Sequence, residues 1–232
     1  LMQIIKEYPE DYYAYDLLGV VFYDVKKYQE SLSVFNKVLE LNSKSDNALK
    51  YIGLILSKAG RFDEALAFVN RAIDIAPNNY LHYGSRAEIF SSSDRYNQEL
   101  RDYEKALLLN SKSSEIYNNR GILYNNLGQT NEAKKDFEMA IKLEPSSAYP
   151  YGNLADVYRK EEKYEEALSY YDKALNLYSY PAAYFGRAVC YLASGQYVDV
   201  INDCNKVIQA LPNYEAAFRL RAGAWQKLGK YK

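Results

Sequence analysis

One position of this chain recurs every 34 residues, and that period constrains the fold more than any other feature of the sequence. The position alternates between proline and serine, at Pro9, Ser43, Pro77, Ser111, Pro145 and Ser179. A period of about 20 to 50 residues is typical of arrays in which each unit packs only on its neighbours. The sequence therefore predicts a stack of similar units rather than a domain built around one core.

The period divides the chain into six complete units with an incomplete unit at each end. The complete units are predicted at 12–45, 46–79, 80–113, 114–147, 148–180 and 181–214, of which the fifth is one residue short. Residues 1–11 match the tail of a preceding unit, and residues 215–232 match the first helix of a further one. We expect 1–232 to form a single array that is part of a longer one.

Two sets of positions keep the same side-chain size from one unit to the next, and each set forms a stripe. Positions 4 and 11 carry large, mostly aromatic residues, and position 8 is always tiny, as Gly19, Gly53, Ala87, Gly121, Ala155, Ala188 and Ala222. Positions 20, 24 and 27 form a second stripe that is mostly small, bulky and small in turn. Because residues spaced i, i+4 and i+7 share one face of a helix, each unit is predicted to form two helices.

The residues between the stripes are typical of helix ends. Position 15, where the first helix would end, suits a left-handed residue and carries Gly60, Gly128, Gly195 and Gly229. Position 34, just before the next helix, carries the good N-cap residues Asp11, Ser45, Asn79, Ser113 and Ser147.

The positions of the aromatic, tiny and alanine residues resemble the signature of the tetratricopeptide repeat, over essentially the whole chain. This resemblance implies an all-α fold, a right-handed superhelical solenoid of antiparallel helix pairs. It also implies a concave groove, lined by the first helices of the repeats, which in this family binds peptides.

Composition argues against several other classes of function. With 29 basic and 30 acidic residues, the net charge of −1 does not favour nucleic-acid binding. No apolar run approaches the roughly 18 residues of a membrane span, and the first residues do not resemble a signal peptide, so we expect a cytoplasmic location. Two cysteines and one histidine are too few for a zinc site or a disulfide framework. Because no phosphate loop or Ser-His-Asp arrangement occurs, we expect neither enzymatic activity nor a cofactor.

Arginine replaces the usual leucine at position 7 of several units, and position 23 changes with it. Units with an apolar residue at position 7 are apolar at position 23 too, as in Leu18 with Val34 and Ile52 with Phe68. The units with arginine carry aspartate there, which gives the pairs Arg86–Asp102, Arg120–Asp136 and Arg187–Asp203. This correlation predicts structural ion pairs within repeats rather than a ladder of arginines that binds anions.

Four other reactive or polar residues occupy positions that are apolar or small elsewhere. Cys190, Cys204 and His82 are predicted to be ordinary core residues, too far apart in a solenoid for a Cys–His pair. Glu99 stands at position 20, where the helices of the other units approach closely. We expect this carboxylate to reach solvent or a basic partner, with wider helix packing around it.

The candidate ligand site follows from helix geometry. At about 100° per residue, positions 2, 5, 6, 9, 12 and 13 of each first helix lie opposite the 4, 8, 11 stripe, and we call this surface the groove face. Asparagine is prominent there, and its amide both donates to and accepts from a peptide main chain. The predicted ligand-binding residues are Tyr13, Lys50, Glu88, Asn118, Asn119, Ile122, Asn125, Asn126, Tyr149, Asn153, Asp156 and Arg159.

Two further features of the groove face bear on the ligand. The best-known variant of the family grips a C-terminal carboxylate with Lys at position 5 and Asn at position 9 of one repeat. Here Lys50 is followed by Leu54 at position 9, so that carboxylate clamp is absent. The sixth unit is apolar instead, with Phe185, Val189, Leu192 and Ala193.

The sequence thus predicts a non-catalytic scaffold that binds a protein or peptide segment in its concave groove. The alternative is a targeting or structural module of a larger chain that carries a catalytic domain elsewhere. Self-association through the incomplete terminal units is a third possibility.

Overall fold

The computed structural model describes residues 2–229 and shows α-helices joined by short turns throughout that range. The helices are α1 Met2–Glu7, α2 Tyr12–Asp24, α3 Tyr28–Leu41, α4 Asp46–Lys58, α5 Phe62–Ile75, α6 Tyr80–Ser92, α7 Tyr96–Leu109, α8 Ser114–Asn126, α9 Thr130–Leu143, α10 Ala148–Lys160, α11 Tyr164–Leu177, α12 Pro181–Ala193, α13 Tyr197–Ala210 and α14 Glu215–Lys227. The predicted all-α class is confirmed. Residues 1 and 230–232, which belong to the predicted terminal segments, lie outside the described residues.

The chain divides into two compact units, Leu1–Ser111 and Lys112–Lys232, here called the N-terminal and C-terminal units. In the N-terminal unit, α2 packs on α3, α4 on α5 and α6 on α7, and the first helices α2, α4 and α6 contact one another in turn. In the C-terminal unit, α8 packs on α9, α10 on α11 and α12 on α13, and the first helices α8, α10, α12 and α14 do the same. Each antiparallel pair falls within one repeat of the sequence.

N-cap side chains stabilise the N-terminal ends of most of the first helices. The side chains of Asp11, Ser45, Asn79 and Ser113 accept hydrogen bonds from backbone N–H groups of the helices that follow them. Ser147 makes no such side-chain bond, so the prediction that it caps α10 in this way is wrong.

Position 15 is left-handed in every repeat, whichever residue occupies it. The glycines predicted there have φ between 66° and 76°, and the non-glycine residues Lys26, Asp94 and Glu162 take φ of 57° to 60°. The sharp turn between the two helices of a repeat is therefore fixed by the stacked helices even where glycine is missing.

Close contact between paired helices explains the tiny residues at position 8. A Cβ added at Gly19 would lie 2.7 Å from Phe35 on α3, and one at Gly53 would lie 2.5 Å from Val69 on α5. Ser31 donates a hydrogen bond of 2.8 Å to the carbonyl oxygen of Gly19, which is possible only because the helices touch. The first helix thus packs its backbone directly against the second.

The two cysteines and the histidine are buried, as the sequence predicts. Burial raises the pKa of both the Cys190 and the Cys204 thiol to about 11, so both stay protonated at neutral pH. His82, however, does more than fill a core position, because its ring has polar partners. Its Nε2 lies 2.8 Å from Asp46 and 3.1 Å from Asn79, which ties the third repeat to the second.

Glu99 contradicts its predicted environment. It is only 3 % exposed, and its Oε2 has no hydrogen-bond partner among residues 2–229, so within that range it reaches neither solvent nor a basic group. Burial raises the pKa of Glu99, which hydrogen bonds with Ser91 and Tyr103 offset only in part. The helices α6 and α7 nevertheless contact each other as extensively as other pairs do, so the expected wider packing is wrong.

The substitution Glu99→Ala is expected to leave stability unchanged at about pH 4 and to increase it at pH 7, by up to about 1 kcal/mol. Because the pKa of Glu99 is raised in the folded state, its carboxyl keeps a proton at pH values above 4.5, where the unfolded chain has lost it. The stability lost by burying this carboxyl therefore grows as pH rises. Urea unfolding of both proteins at the two pH values measures the difference. A loss of stability on substitution at pH 7 would show that the buried carboxyl makes a contact the fold requires.

Candidate ligand-binding groove

The arginines at position 7 are held within the repeats. Arg120 donates from Nε and Nη2 to both carboxylate oxygens of Asp136, at 2.7 and 2.8 Å. Its guanidinium also lies 5.6 and 5.5 Å from the ring centroids of Tyr117 and Tyr124. The hydrogen bond to Asp136 holds the pKa of Arg120 above its usual value.

The other two predicted pairs have the same geometry. Arg86 donates to both oxygens of Asp102 at 2.7 and 2.8 Å, and Arg187 donates to both oxygens of Asp203 at 2.8 and 2.7 Å. The three aspartates are buried. Because Nε and Nη2 of each guanidinium already donate to a buried carboxylate, these arginines are poor candidates for contacts with an anionic ligand.

The groove face of the N-terminal unit is enclosed at α4. Lys50 is 8 % exposed, its Nζ lies 4.0 Å from the ring centroid of Tyr51, and Leu54 and Ser57 on the same face are buried as well. Lys50 is predicted to contact a ligand, but the residue is buried. Its burial removes it from the residues that a ligand can reach.

The remaining predicted residues of the N-terminal unit are exposed or already paired. Glu88 accepts a hydrogen bond of 2.7 Å from Lys58, which stands on the preceding first helix. Tyr13 is exposed, and its ring centroid lies 4.1 Å from that of Tyr12. The structure does not bring Tyr13, Lys50 and Glu88 together into one site.

The asparagines of the C-terminal unit, in contrast, meet across two first helices. Asn153 of α10 donates to the side-chain oxygen of Asn118 on α8 at 2.8 Å, and Asn118 donates to Asn119 at 3.3 Å. All three side chains are half-buried. Each amide has more donor and acceptor sites than these bonds use, so the chain of amides retains capacity for a ligand.

The other predicted residues of α8 surround this chain of amides. Asn125 accepts a hydrogen bond of 3.2 Å from Lys160 of α10, and Ile122 and Asn126 are exposed. These side chains give the groove face at α8 an amide-rich surface with one apolar residue in it.

A network around Asp156 forms the centre of the groove face on α10. One oxygen of Asp156 accepts hydrogen bonds from Arg159 Nη2 at 2.8 Å and from the Tyr171 hydroxyl at 2.6 Å. Tyr171 comes from the second helix α11 and is 1 % exposed. Burial and the nearby carboxylate raise the pKa of Tyr171 far above its usual value, so it acts as a fixed donor.

Tyr171 is a residue that the sequence interpretation missed, since position 24 predicts only a core ring. Its hydroxyl reaches α12 because Gly186 leaves room, since a Cβ at Gly186 would overlap the hydroxyl oxygen. Glycine at position 6, beside a tyrosine at position 24 of the preceding repeat, is the signal that indicates the contact.

Three tyrosines border the network at the N-terminal end of α10. The ring centroid of Tyr149 lies 5.2 Å from that of Tyr180 and 6.2 Å from that of Tyr178. The Tyr180 hydroxyl lies against Gly152, and burial raises its pKa to about 12. Tyr149 and Tyr178 are exposed, so they offer aromatic contact area beside the polar groups.

The groove face becomes apolar at α12 and basic at α14. Phe185, Val189 and Leu192 are half-buried, and the Phe185 ring lies 5.2 Å from Tyr214, edge to face. On α14 the side chain of Arg219 is 78 % exposed, with a long contact of 3.7 Å to Glu215. Arg219 also lines a pocket of about 510 Å³ together with Ala222, Gly223 and Gln226.

Comparison with known families agrees with this architecture. Models of the tetratricopeptide repeat match residues 10–78, 114–147 and 151–179, which together make up more than half of the chain. The chain belongs to the tetratricopeptide repeat family. No curated protein sequence matches it.

Solved structures with tetratricopeptide folds superpose on most of the chain. The crystal structure of the APC/C hetero-tetramer Cut9–Hcn1 matches with a TM-score of 0.85 and 19 % identity, over 96 % of this chain and 44 % of that one. PilF of Pseudomonas aeruginosa matches with a TM-score of 0.77 and 16 % identity, over 91 % and 97 %. YrrB, described as a TPR protein with an unusual peptide-binding site, matches with a TM-score of 0.53 and 22 % identity, over 78 % and 94 %.

At these identities the likeness shows the fold, and this tetratricopeptide chain spans less than half of the chain matched in Cut9–Hcn1. Each helix described between residues 2 and 229 is too short or too polar to cross a membrane.

Proposed function

We propose that this tetratricopeptide chain is a non-catalytic scaffold that binds an extended segment of a partner protein. The ligand lies on the groove face of the C-terminal unit and contacts the amides of Asn118, Asn119 and Asn153. Asp156 and Arg159 contribute selectivity beside them. The observation that carries the proposal is the chain of half-buried amides that runs across α8 and α10.

The physical argument rests on what amides recognise. A peptide main chain presents one donor and one acceptor at each residue, and an asparagine side chain can pair with both. The groove face of the N-terminal unit offers less, since α4 is enclosed and Glu88 is paired with Lys58. The C-terminal unit is therefore the better candidate for a site that binds the main chain of a peptide through hydrogen bonds.

Selection from a library of random peptides displayed on phage tests the proposal. The purified chain is expected to enrich a set of sequences, and the variant Asn119→Ala/Asn153→Ala is expected to bind those peptides five- to a hundredfold more weakly. Each lost hydrogen bond is worth about 0.5 to 1.5 kcal/mol, which sets this range. Calorimetry with synthetic peptides from the enriched set measures the affinities.

The matched control is Asn131→Ala/Asn202→Ala, which removes two exposed asparagines from the second helices α9 and α13 of the same unit. The control is expected to bind with unchanged affinity, and both variants should retain the helicity of the original chain. Equal affinity of the original chain and the Asn119→Ala/Asn153→Ala variant would place the site elsewhere.

A further inference from the structure

The geometry points to an acidic partner segment with an apolar residue at its centre, lying across α10, α12 and α14. This inference rests on the proposed function and names the chemistry of the ligand. The apolar residue sits on the half-buried side chains of α12, and acidic residues on either side face the cations of α10 and α14.

The charge of the groove face supports an acidic ligand. The whole chain has a net charge of −1, yet the groove positions of α8, α10, α12 and α14 carry two carboxylates and four cations, Glu115 and Asp156 against Arg159, Lys160, Arg219 and Lys227. Asp156 and Arg159 neutralise each other through their hydrogen bond of 2.8 Å. Lys160, Arg219 and Lys227 are all exposed, and the contact of Arg219 with Glu215 is long at 3.7 Å, so the groove positions of α10, α12 and α14 keep a net positive charge.

The N-terminal unit does not share this excess. Its groove positions carry the carboxylates Asp16, Asp24 and Glu88 and the cations Lys50 and Lys58. Lys58 is paired with Glu88, and Lys50 is buried. An acidic segment is therefore attracted to the C-terminal unit rather than to the groove in general.

The order of the surfaces sets the order of residues in the ligand. Lys160 stands on α10, the apolar residues Phe185, Val189 and Leu192 stand on α12, and Arg219 and Lys227 stand on α14. Packed helices are about 8 to 10 Å apart, and an extended chain rises about 3.3 Å per residue. Each helix spacing is thus spanned by about three residues, so the ligand has an acidic residue, an apolar residue and an acidic residue at intervals of about three.

Two focused peptide libraries on phage test this inference. One fixes an acidic residue at each end of a seven-residue segment and a leucine or phenylalanine at its centre. The second is identical except that lysine or arginine replaces both acidic residues. The chain is expected to recover the acidic library at least about tenfold more efficiently, with a preference that shrinks from about 0.05 M to about 0.5 M salt.

Charge-reversed variants locate the preference. Arg219→Glu/Lys227→Glu is expected to abolish the preference for the acidic library. The control Lys142→Glu/Lys206→Glu changes the net charge by the same amount at exposed lysines of the second helices α9 and α13, and it should keep the preference. A preference that persists in the groove variant, or that is lost equally in the control, would overturn the assignment to α14.

The outcomes separate this inference from the proposed function. Equal recovery of the two libraries, with binding that still depends on Asn119 and Asn153, overturns the acidic ligand and leaves the peptide groove standing. Recovery of neither library, together with no enrichment from the random library, overturns both. A preference for the basic library overturns the charge argument directly.

Discussion

Asp136→Ala is expected to destabilise the chain by about 3 kcal/mol, because it leaves the guanidinium of Arg120 without its carboxylate. Asp136 is buried, and the pair is joined by two hydrogen bonds of 2.7 and 2.8 Å. The guanidinium lies 5.6 and 5.5 Å from the ring centroids of Tyr117 and Tyr124, and the Arg120 side chain is only 18 % exposed, so water replaces the lost acceptor only in part. Urea unfolding followed by circular dichroism measures the loss as a lower midpoint.

Replacing both partners supplies the control for Asp136→Ala. The fifth repeat carries Leu154 and Tyr170 at the same two positions, so Arg120→Leu/Asp136→Tyr reproduces a pair that this fold already uses. Removing both charges leaves no unpaired group, and the double variant is expected to lose about 1 kcal/mol or less. A double variant as unstable as Asp136→Ala would mean that the loss of stability comes from altered packing rather than from the unpaired charge of Arg120.

Much of the fold could be predicted from the sequence because the same residue types recur at the same positions of several repeats. The helix pairs follow the 34-residue period, and position 8 is tiny where the paired backbones touch. The pairing of Arg86, Arg120 and Arg187 with aspartates was visible as a correlated change at two positions. These features depend on contacts inside one repeat or at a fixed offset, which the period encodes directly.

The site was less predictable because it depends on contacts that differ from one repeat to the next. Position 5 predicts a groove residue in every first helix, yet Lys50 is buried while Asn118 at the same position is half-buried. Tyr171 occupies a core position and still reaches the groove through the gap that Gly186 leaves. Helical spacing gives the direction of a side chain but not what the neighbouring repeat places in front of it.

The substitution Gly186→Ala is expected to cost about 2 kcal/mol of stability, although alanine favours a helix over glycine by up to about 1 kcal/mol. The added Cβ would overlap the Tyr171 hydroxyl oxygen and would lie 2.5 Å from the ring carbon that bears it. Tyr171 is enclosed by the core of the fifth and sixth repeats, so it cannot swing away without disturbing Ala155 and Ala167. Thermal unfolding followed by circular dichroism measures the loss.

Gly223→Ala is the matched control for stability, since a Cβ at Gly223 on α14 meets no atom of the described residues within 4 Å. There the helix preference acts alone, and the variant is expected to gain about 0.5 to 1 kcal/mol. Gly186→Ala should also weaken peptide binding, because displacing Tyr171 breaks its 2.6 Å hydrogen bond to Asp156 and frees Arg159 to move. If Gly186→Ala were as stable as Gly223→Ala and bound peptide as tightly as the original chain, the Tyr171 hydroxyl would not be what holds Asp156 in the groove.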